Sequence, residues 1–185
     1  MAAQPWYIAG HSMGGGVVSA MALQDPARTR GLVLIDAALF HPVRGGFLMQ
    51  VSPLRQWLQV ALEHALLNNE GIFRNLLASA YGMDPTDEQV AGYLAPLRLP
   101  GTARSLASIM DGARQADPLR YEGLSVPILA IWGEKDTWVP VSELERIKAL
   151  QPNIAAHIIK GAAHCPMETH TQAFADILFA WLALQ

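Results

Sequence analysis

Short unbroken apolar runs recur at residues 5–9, 31–35 and 128–132, and a sparser one at 155–159. Each is bounded by Gly, Pro, Asp or Asn, the pattern of strands buried on both faces of a sheet. Between the first two runs, residues 17–23 are rich in Ala, Met and Leu and predict a helix that ends near Asp25-Pro26. A crossover of that length between two apolar strands implies a parallel pair with a right-handed connection. From about residue 40 to 123 the period changes. Helical spacing predicts helices over 47–67, 70–81, 87–97 and 102–116, broken at Asn68-Asn69, Gly82, Asp84-Pro85 and Pro100-Gly101. After Ser125-Val126-Pro127 the strand pattern returns. A helix over 141–150, its start marked by Pro140 and Ser142, precedes the last strand, and an amphipathic helix over 172–184 with Thr171 as N-cap closes the chain. The fold class is therefore α/β: about four parallel strands with flanking helices, built from residues 1–39 and 124–185, with a helical insertion over 40–123.

The passage from the first strand into its helix is Gly10-His11-Ser12-Met13-Gly14-Gly15-Gly16. A strand that turns sharply into a helix brings the backbone before and after the corner into near contact, so Gly10 and Gly14 are expected where a Cβ has no room. Ser12 then occupies a strained corner with its hydroxyl clear of the sheet. The Met13 amide, at the positive end of the new helix, points where an oxyanion would form. The bland alternative is a glycine-rich turn with an inert serine. Another is a dinucleotide-binding loop, since a strand ending in Asp36 follows about twenty residues on. That fingerprint requires a second glycine at position 12, where this chain has serine.

A serine hydroxyl needs a base to take its proton and a group to orient that base. His164 and Asp136 lie just beyond the carboxyl ends of the last two strands, at the same sheet edge as Ser12. His11 is pinned beside the corner, His41 and His64 fall in the insertion, His157 is inside a strand, and His170 lies six residues past His164. Asp36, after the neighbouring strand, is the rival acid able to reach the same histidine. A dinucleotide site accounts for neither Asp136 nor His164.

Composition narrows the classes. The 185 residues are 51% hydrophobic and 16% charged, enough for one domain with a real core. A net charge of −3 gives no reason to expect nucleic acid or an anionic membrane as partner. No apolar run reaches the roughly eighteen residues that a bilayer span requires. No signal peptide is recognised at the amino terminus, and the single cysteine, Cys165, forms no intrachain disulfide, so a cytoplasmic location is expected. No metal-ligand spacing such as His-Glu-x-x-His occurs, and neither a metal nor an organic cofactor is expected. Most of Phe47, Met49, Trp57, Phe73, Met83 and Met110 fill the insertion's own core, while a minority line an apolar pocket as a lid would.

Gly-His-Ser-Met-Gly-Gly, Leu-Val-Leu-Ile-Asp-Ala-Ala, Pro-Ile-Leu-Ala-Ile-Trp-Gly-Glu-Lys-Asp-Thr-Trp-Val-Pro and Gly-Ala-Ala-His-Cys-Pro-Met-Glu together resemble the α/β-hydrolase superfamily, in its esterase and carbon–carbon bond hydrolase branch. The resemblance implies Ser12 as nucleophile, Asp136 as orienting acid, His164 as base and then acid, and Met13 as an oxyanion-hole donor. His11, Phe40 and Trp138 are candidate substrate-binding residues. The implied substrate is a small apolar carbonyl compound, an ester, thioester, lactone or activated ketone, with a carboxylic ester hydrolase the leading activity. The chain resembles the carboxyl-terminal part of that family. Strands expected before the serine corner, and a loop giving the second oxyanion donor, have no counterpart here. Two expectations follow: the strand at 5–9 is an apolar edge through which the chain self-associates, and the alternative function is that of a catalytically impaired fragment serving as an interaction or vestigial protein.

Overall fold

The computed structural model describes residues 4–40, 68–102, 105, 108, 109 and 119–185. Four strands, β1 (Trp6–His11), β2 (Thr29–Ile35), β3 (Ile128–Gly133) and β4 (Ala155–Ile159), form one parallel sheet in the order β1-β2-β3-β4. The continuous apolar runs of the sequence are explained by which face each residue meets. Leu32, Leu34, Ile128, Ala130 and Trp132 point to one side and Val33, Ile35, Leu129 and Ile131 to the other, all buried. On the first face they meet α1 (Met13–Gln24) and α4 (Val141–Leu150) through Ala22, Leu144 and Ile147. On the second they meet α6 (Thr171–Leu182) through Phe174, Ile177 and Trp181. Each fully buried Leu or Ile contributes roughly 1.5–3 kcal/mol, so the two middle strands hold most of the apolar stabilisation.

The chain divides into two compact units. One comprises Met1–Phe40, Ala80–Gly82 and Pro118–Gln185, the other His41–Ser79 and Met83–Asp117. Within the second lie most of α2 (Glu70–Tyr81) and all of α3 (Asp87–Leu97), matching the bounds expected from spacing. A reciprocal capping box starts α3: Thr86 Oγ1 accepts from the Gln89 N–H at 3.2 Å, and Gln89 Oε1 accepts from the Thr86 N–H at 2.8 Å. Arg74 of α2 ties the two helices, donating to the Pro85 carbonyl at 2.6 Å and pairing with Asp87. The helix expected over 47–67, and most of that over 102–116, fall outside the described residues, as do Phe47, Met49, Trp57 and Met110.

The caps of two helices differ in detail from expectation, although the second of them starts at Val141 as expected. The cap position of α6 is His170, and the Thr171 hydroxyl instead donates backward to the carbonyls of Met167 and Glu168 in the one-turn helix α5 (Pro166–Thr169). That backward bond is open to Thr171 because a helical turn already lies behind it. At α4 the cap is Pro140, with no side-chain bond, and Ser142 is inside the helix. No described helix is long and apolar enough to cross a membrane.

Candidate active site

β1 and β2 end in register, His11 opposite Ile35. The next residue, Ser12, is clamped by its backbone: its N–H donates to the Ile35 carbonyl at 3.0 Å, and its carbonyl accepts from Ala38 at 2.8 Å and Gly15 at 3.0 Å. It adopts φ 52 and ψ −124, a conformation that strains any residue with a Cβ, by about 1–3 kcal/mol. The glycines explain how the corner is reached, though not all as expected. A Cβ on Gly10 would stand 2.3 Å from the Gly14 carbonyl oxygen, and one on Gly15 2.3 Å from the Ala37 Cβ. At Gly14 itself a Cβ would meet nothing within 4 Å, which corrects the steric role expected there. Gly14 contributes the backbone that Gly10 must approach, and the second tight position is Gly15. The Ser12 side chain makes no capping bond to its own helix, so its hydroxyl is not engaged there. Met13 opens α1, and its N–H belongs to the first turn, whose donors have no acceptor within the helix.

Two strands away, the turns after β3 and β4 are locked together. Glu134 N–H donates to the Ile159 carbonyl at 3.1 Å and Lys135 N–H to Ala162 at 2.8 Å. A Cβ on Gly133 would lie 2.0 Å from the Ala163 carbonyl oxygen, so only glycine permits this approach. The result places His164 Nδ1 2.8 Å from Asp136 Oδ2, with both side chains buried. Asp136 Oδ1 accepts from the Trp138 and Val139 N–H groups at 2.8 and 2.9 Å. Burial pushes the Asp136 carboxyl up, but the bonds from His164 and Val139 and the charge of His164 outweigh it and hold the carboxyl below its ordinary value. Nδ1 is thereby committed to the acid, leaving Nε2 as the nitrogen for other chemistry.

Further contacts hold the segment that carries His164. His164 N–H donates to the Ala80 carbonyl at 2.9 Å, and Tyr81 OH donates to the Glu168 carboxylate. No sequence signal links Tyr81 to a residue 87 positions away, and these contacts become visible only once folded. His11 Nε2 lies 2.7 Å from the His164 carbonyl oxygen and donates to it, so this residue holds the His164 backbone. Burial lowers the His11 pKa. The rings of His11 and Trp138 stand 4.7 and 5.2 Å from that of His164. Phe40, the third candidate for substrate contact, packs elsewhere: its ring lies 5.0 Å from Tyr121 and 4.1 Å from the Arg146 guanidinium.

Asp36, the rival acid, is buried beside the chosen one. Asp36, Asp136 and His164 each offer a ligand atom, all within 4.8 Å of one another, the one cluster of this kind among the described residues. A metal ion there would have to break the Asp136–His164 bond. Cys165 is buried, and burial first, then nearby carboxylates, push its thiol up to about 12, so it stays a neutral thiol at ordinary pH.

Comparison with known proteins places the fold. A family model described as alpha/beta hydrolase fold matches residues 2–171. The pimeloyl-[acyl-carrier protein] methyl ester esterase of Serratia marcescens is 28% identical over 187 residues, covering 97% of this chain and 71% of that protein. The 2-hydroxy-6-oxononadienedioate/2-hydroxy-6-oxononatrienedioate hydrolase of Paraburkholderia xenovorans is 28% identical over 181 residues, covering 96% and 62%. The crystal structure of the meta-cleavage product hydrolase from Pseudomonas fluorescens superposes with a TM-score of 0.75 at 21% identity, over 97% of this chain and 65% of that one. The chain thus spans about two thirds of the length of these relatives.

Proposed function

The chain belongs to the α/β-hydrolase fold family, and from that premise we propose that it is a serine hydrolase acting on an ester or related carbonyl substrate. The observation that carries the reading is the buried 2.8 Å bond between His164 Nδ1 and Asp136 Oδ2, at the sheet edge where Ser12 occupies a strained corner. Asp136 fixes the imidazole tautomer so that Nε2 is unprotonated and takes the Ser12 proton as Oγ attacks the carbonyl carbon. The Met13 N–H stabilises the oxyanion of the tetrahedral intermediate. The imidazolium then gives its proton to the leaving group, and water releases the acyl group by the same steps in reverse order of proton flow. Trp138, 46% exposed and stacked beside the base, offers an apolar wall for the acyl or alcohol part. No step requires a metal or organic cofactor.

A fluorophosphonate probe tests the reading. Labelling of the wild-type protein that disappears in Ser12→Ala supports an activated serine. Folded protein that takes no label supports the second reading, a catalytically impaired interaction protein. Turnover of short-chain aryl esters against a vinylogous 1,5-diketone then separates ester from carbon–carbon bond hydrolysis.

A further inference from the structure

The two aspartates of the site differ in what surrounds them. Asp136 receives three donors: the His164 ring and the Trp138 and Val139 N–H groups. Asp36 receives one, the Gly133 N–H, which reaches Oδ1 at 2.8 Å. Its Oδ2 is buried with no hydrogen-bond partner, and the residue is fully inaccessible at φ 41, in the left-handed region. One oxygen of each carboxyl group and one nitrogen of the imidazole lie within 4.8 Å of one another. Two buried carboxylates at such separation do not both ionise, and the charge settles where the donors are.

We propose that Asp36 is a positioning residue that stays protonated and donates from Oδ2 to the Asp136 carboxylate, bracing the acid that holds His164. This rests on the hydrolase reading for its kinetic consequences, though the proton's location does not. With the proton on Oδ2, the orphaned oxygen becomes a donor, Oδ1 still accepts from Gly133, and the cluster carries one negative charge. Burial first, then the Asp136 carboxylate, push the Asp36 carboxyl up to about 9, with the Gly133 N–H acting in the opposite direction. The titratable groups facing it are Asp136 from the β3 turn and His164 and Cys165 from the β4 turn; the thiol stays neutral throughout. Gly133 presents its backbone N–H to it.

Above about pH 9 Asp36 ionises, the bond to Asp136 is replaced by repulsion between two carboxylates, and the acid loses its brace. Asp36→Asn carries a donor that cannot ionise, since Nδ2–H can face Asp136 while Oδ1 accepts from Gly133. Asp36→Ala has no donor at all.

The test combines carbon-13 NMR of protein labelled at aspartate carboxyls with pH–rate profiles. The resonance missing from Asp36→Asn is expected to titrate near 9 in the wild type. Wild-type kcat is expected to fall on an alkaline limb that Asp36→Asn lacks. Asp36→Asn should keep kcat within about fivefold of wild type, while Asp36→Ala loses about a hundredfold through misplacement of the dyad. A merely structural Asp36 would leave the alkaline limb unchanged in Asp36→Asn. A resonance titrating in the ordinary carboxylate range, or equal losses in the two variants, overturns the proposal. If the resonance titrates near 9 but the fluorophosphonate probe leaves Ser12 unlabelled, the hydrolase reading fails while the shared proton stands.

Discussion

Ser12 and Asp136 end parallel strands of the same sheet, yet they are held by different means. Asp136 is secured through its side chain, by three donors in a buried pocket. Ser12 is secured through its backbone, by three main-chain bonds and the near contact of Gly10 with Gly14, while its hydroxyl makes no cap. The acid end therefore depends on which polar atoms are present, and the serine end on whether added atoms fit. One requires chemical identity, the other an absence of volume. The strands repeat the contrast: β3 is buried along its whole length, whereas β1 begins at Trp6, 65% exposed.

The largest effect should come from removing the proposed nucleophile. Ser12→Ala changes no contact that supports the corner, so we expect unchanged melting with loss of at least about 10⁴-fold in kcat, read with an aryl ester. Residual activity within tenfold would sink the serine's role. Asp136→Asn comes next, at about 10³- to 10⁴-fold. An amide in place of Oδ2 can turn its N–H toward Nδ1 and favour the wrong imidazole tautomer.

A pair of glycine changes tests the serine end by volume alone. Gly10→Ala puts a methyl group 2.3 Å from the Gly14 carbonyl and should destabilise by about 3 kcal/mol, with activity lost alongside. Gly14→Ala has open space and a helical position suited to alanine, so it should be neutral or stabilising by roughly 0.5–1 kcal/mol. Thermal melts that rank the two the other way would break the contrast drawn between the ends.

Changing pH separates the two aspartates with opposite signs. The Asp136 carboxyl lies below its ordinary value when folded, so the native state binds fewer protons than the unfolded chain. Its contribution is present above about pH 4 and is lost as pH falls. Asp36, pushed up to about 9, binds its proton more tightly in the native state, so stability declines as pH rises from about 4 toward 9. Asp36→Asn should therefore melt above the wild type by a margin that grows from pH 5 to 9, at roughly 3 °C per kcal/mol for a chain of this size. A margin independent of pH would show that Asp36 is ionised throughout.

The acid end was less legible in the sequence than the serine end. Ser12 announces itself locally, because Gly10 and Gly14 lie two residues to either side and the strand and helix flank them directly. Asp136 and His164 were placed by their position after apolar strands, which the sheet bears out. That Asp36 would stand beside Asp136 rather than replace it was not readable. Both follow neighbouring strands, and only the register of Leu34 with Ala130 and Ile35 with Ile131 brings the two turns together. Thr171 does not take the cap expected of it, because α5, four residues long, has no period of its own to detect.

The smallest effect concerns the rim of the sheet. Among the described residues β1 pairs with β2 alone, so its other edge presents N–H and C=O groups to whatever lies beside it. Trp6 stands at the start of that edge, and Val17 and Met21 of α1 are more than half exposed. We expect the purified chain to self-associate through this edge. Trp6→Lys sets a charge where two strands would meet, which should shift light-scattering mass toward the monomer while the melting temperature changes by the equivalent of no more than about 0.5 kcal/mol. Activity per chain should be unaffected, since β1 anchors Ser12 from its far end and through backbone bonds to β2 that the lysine does not touch. Wild-type protein that remains monomeric across the accessible concentration range would show that the edge is closed by other means.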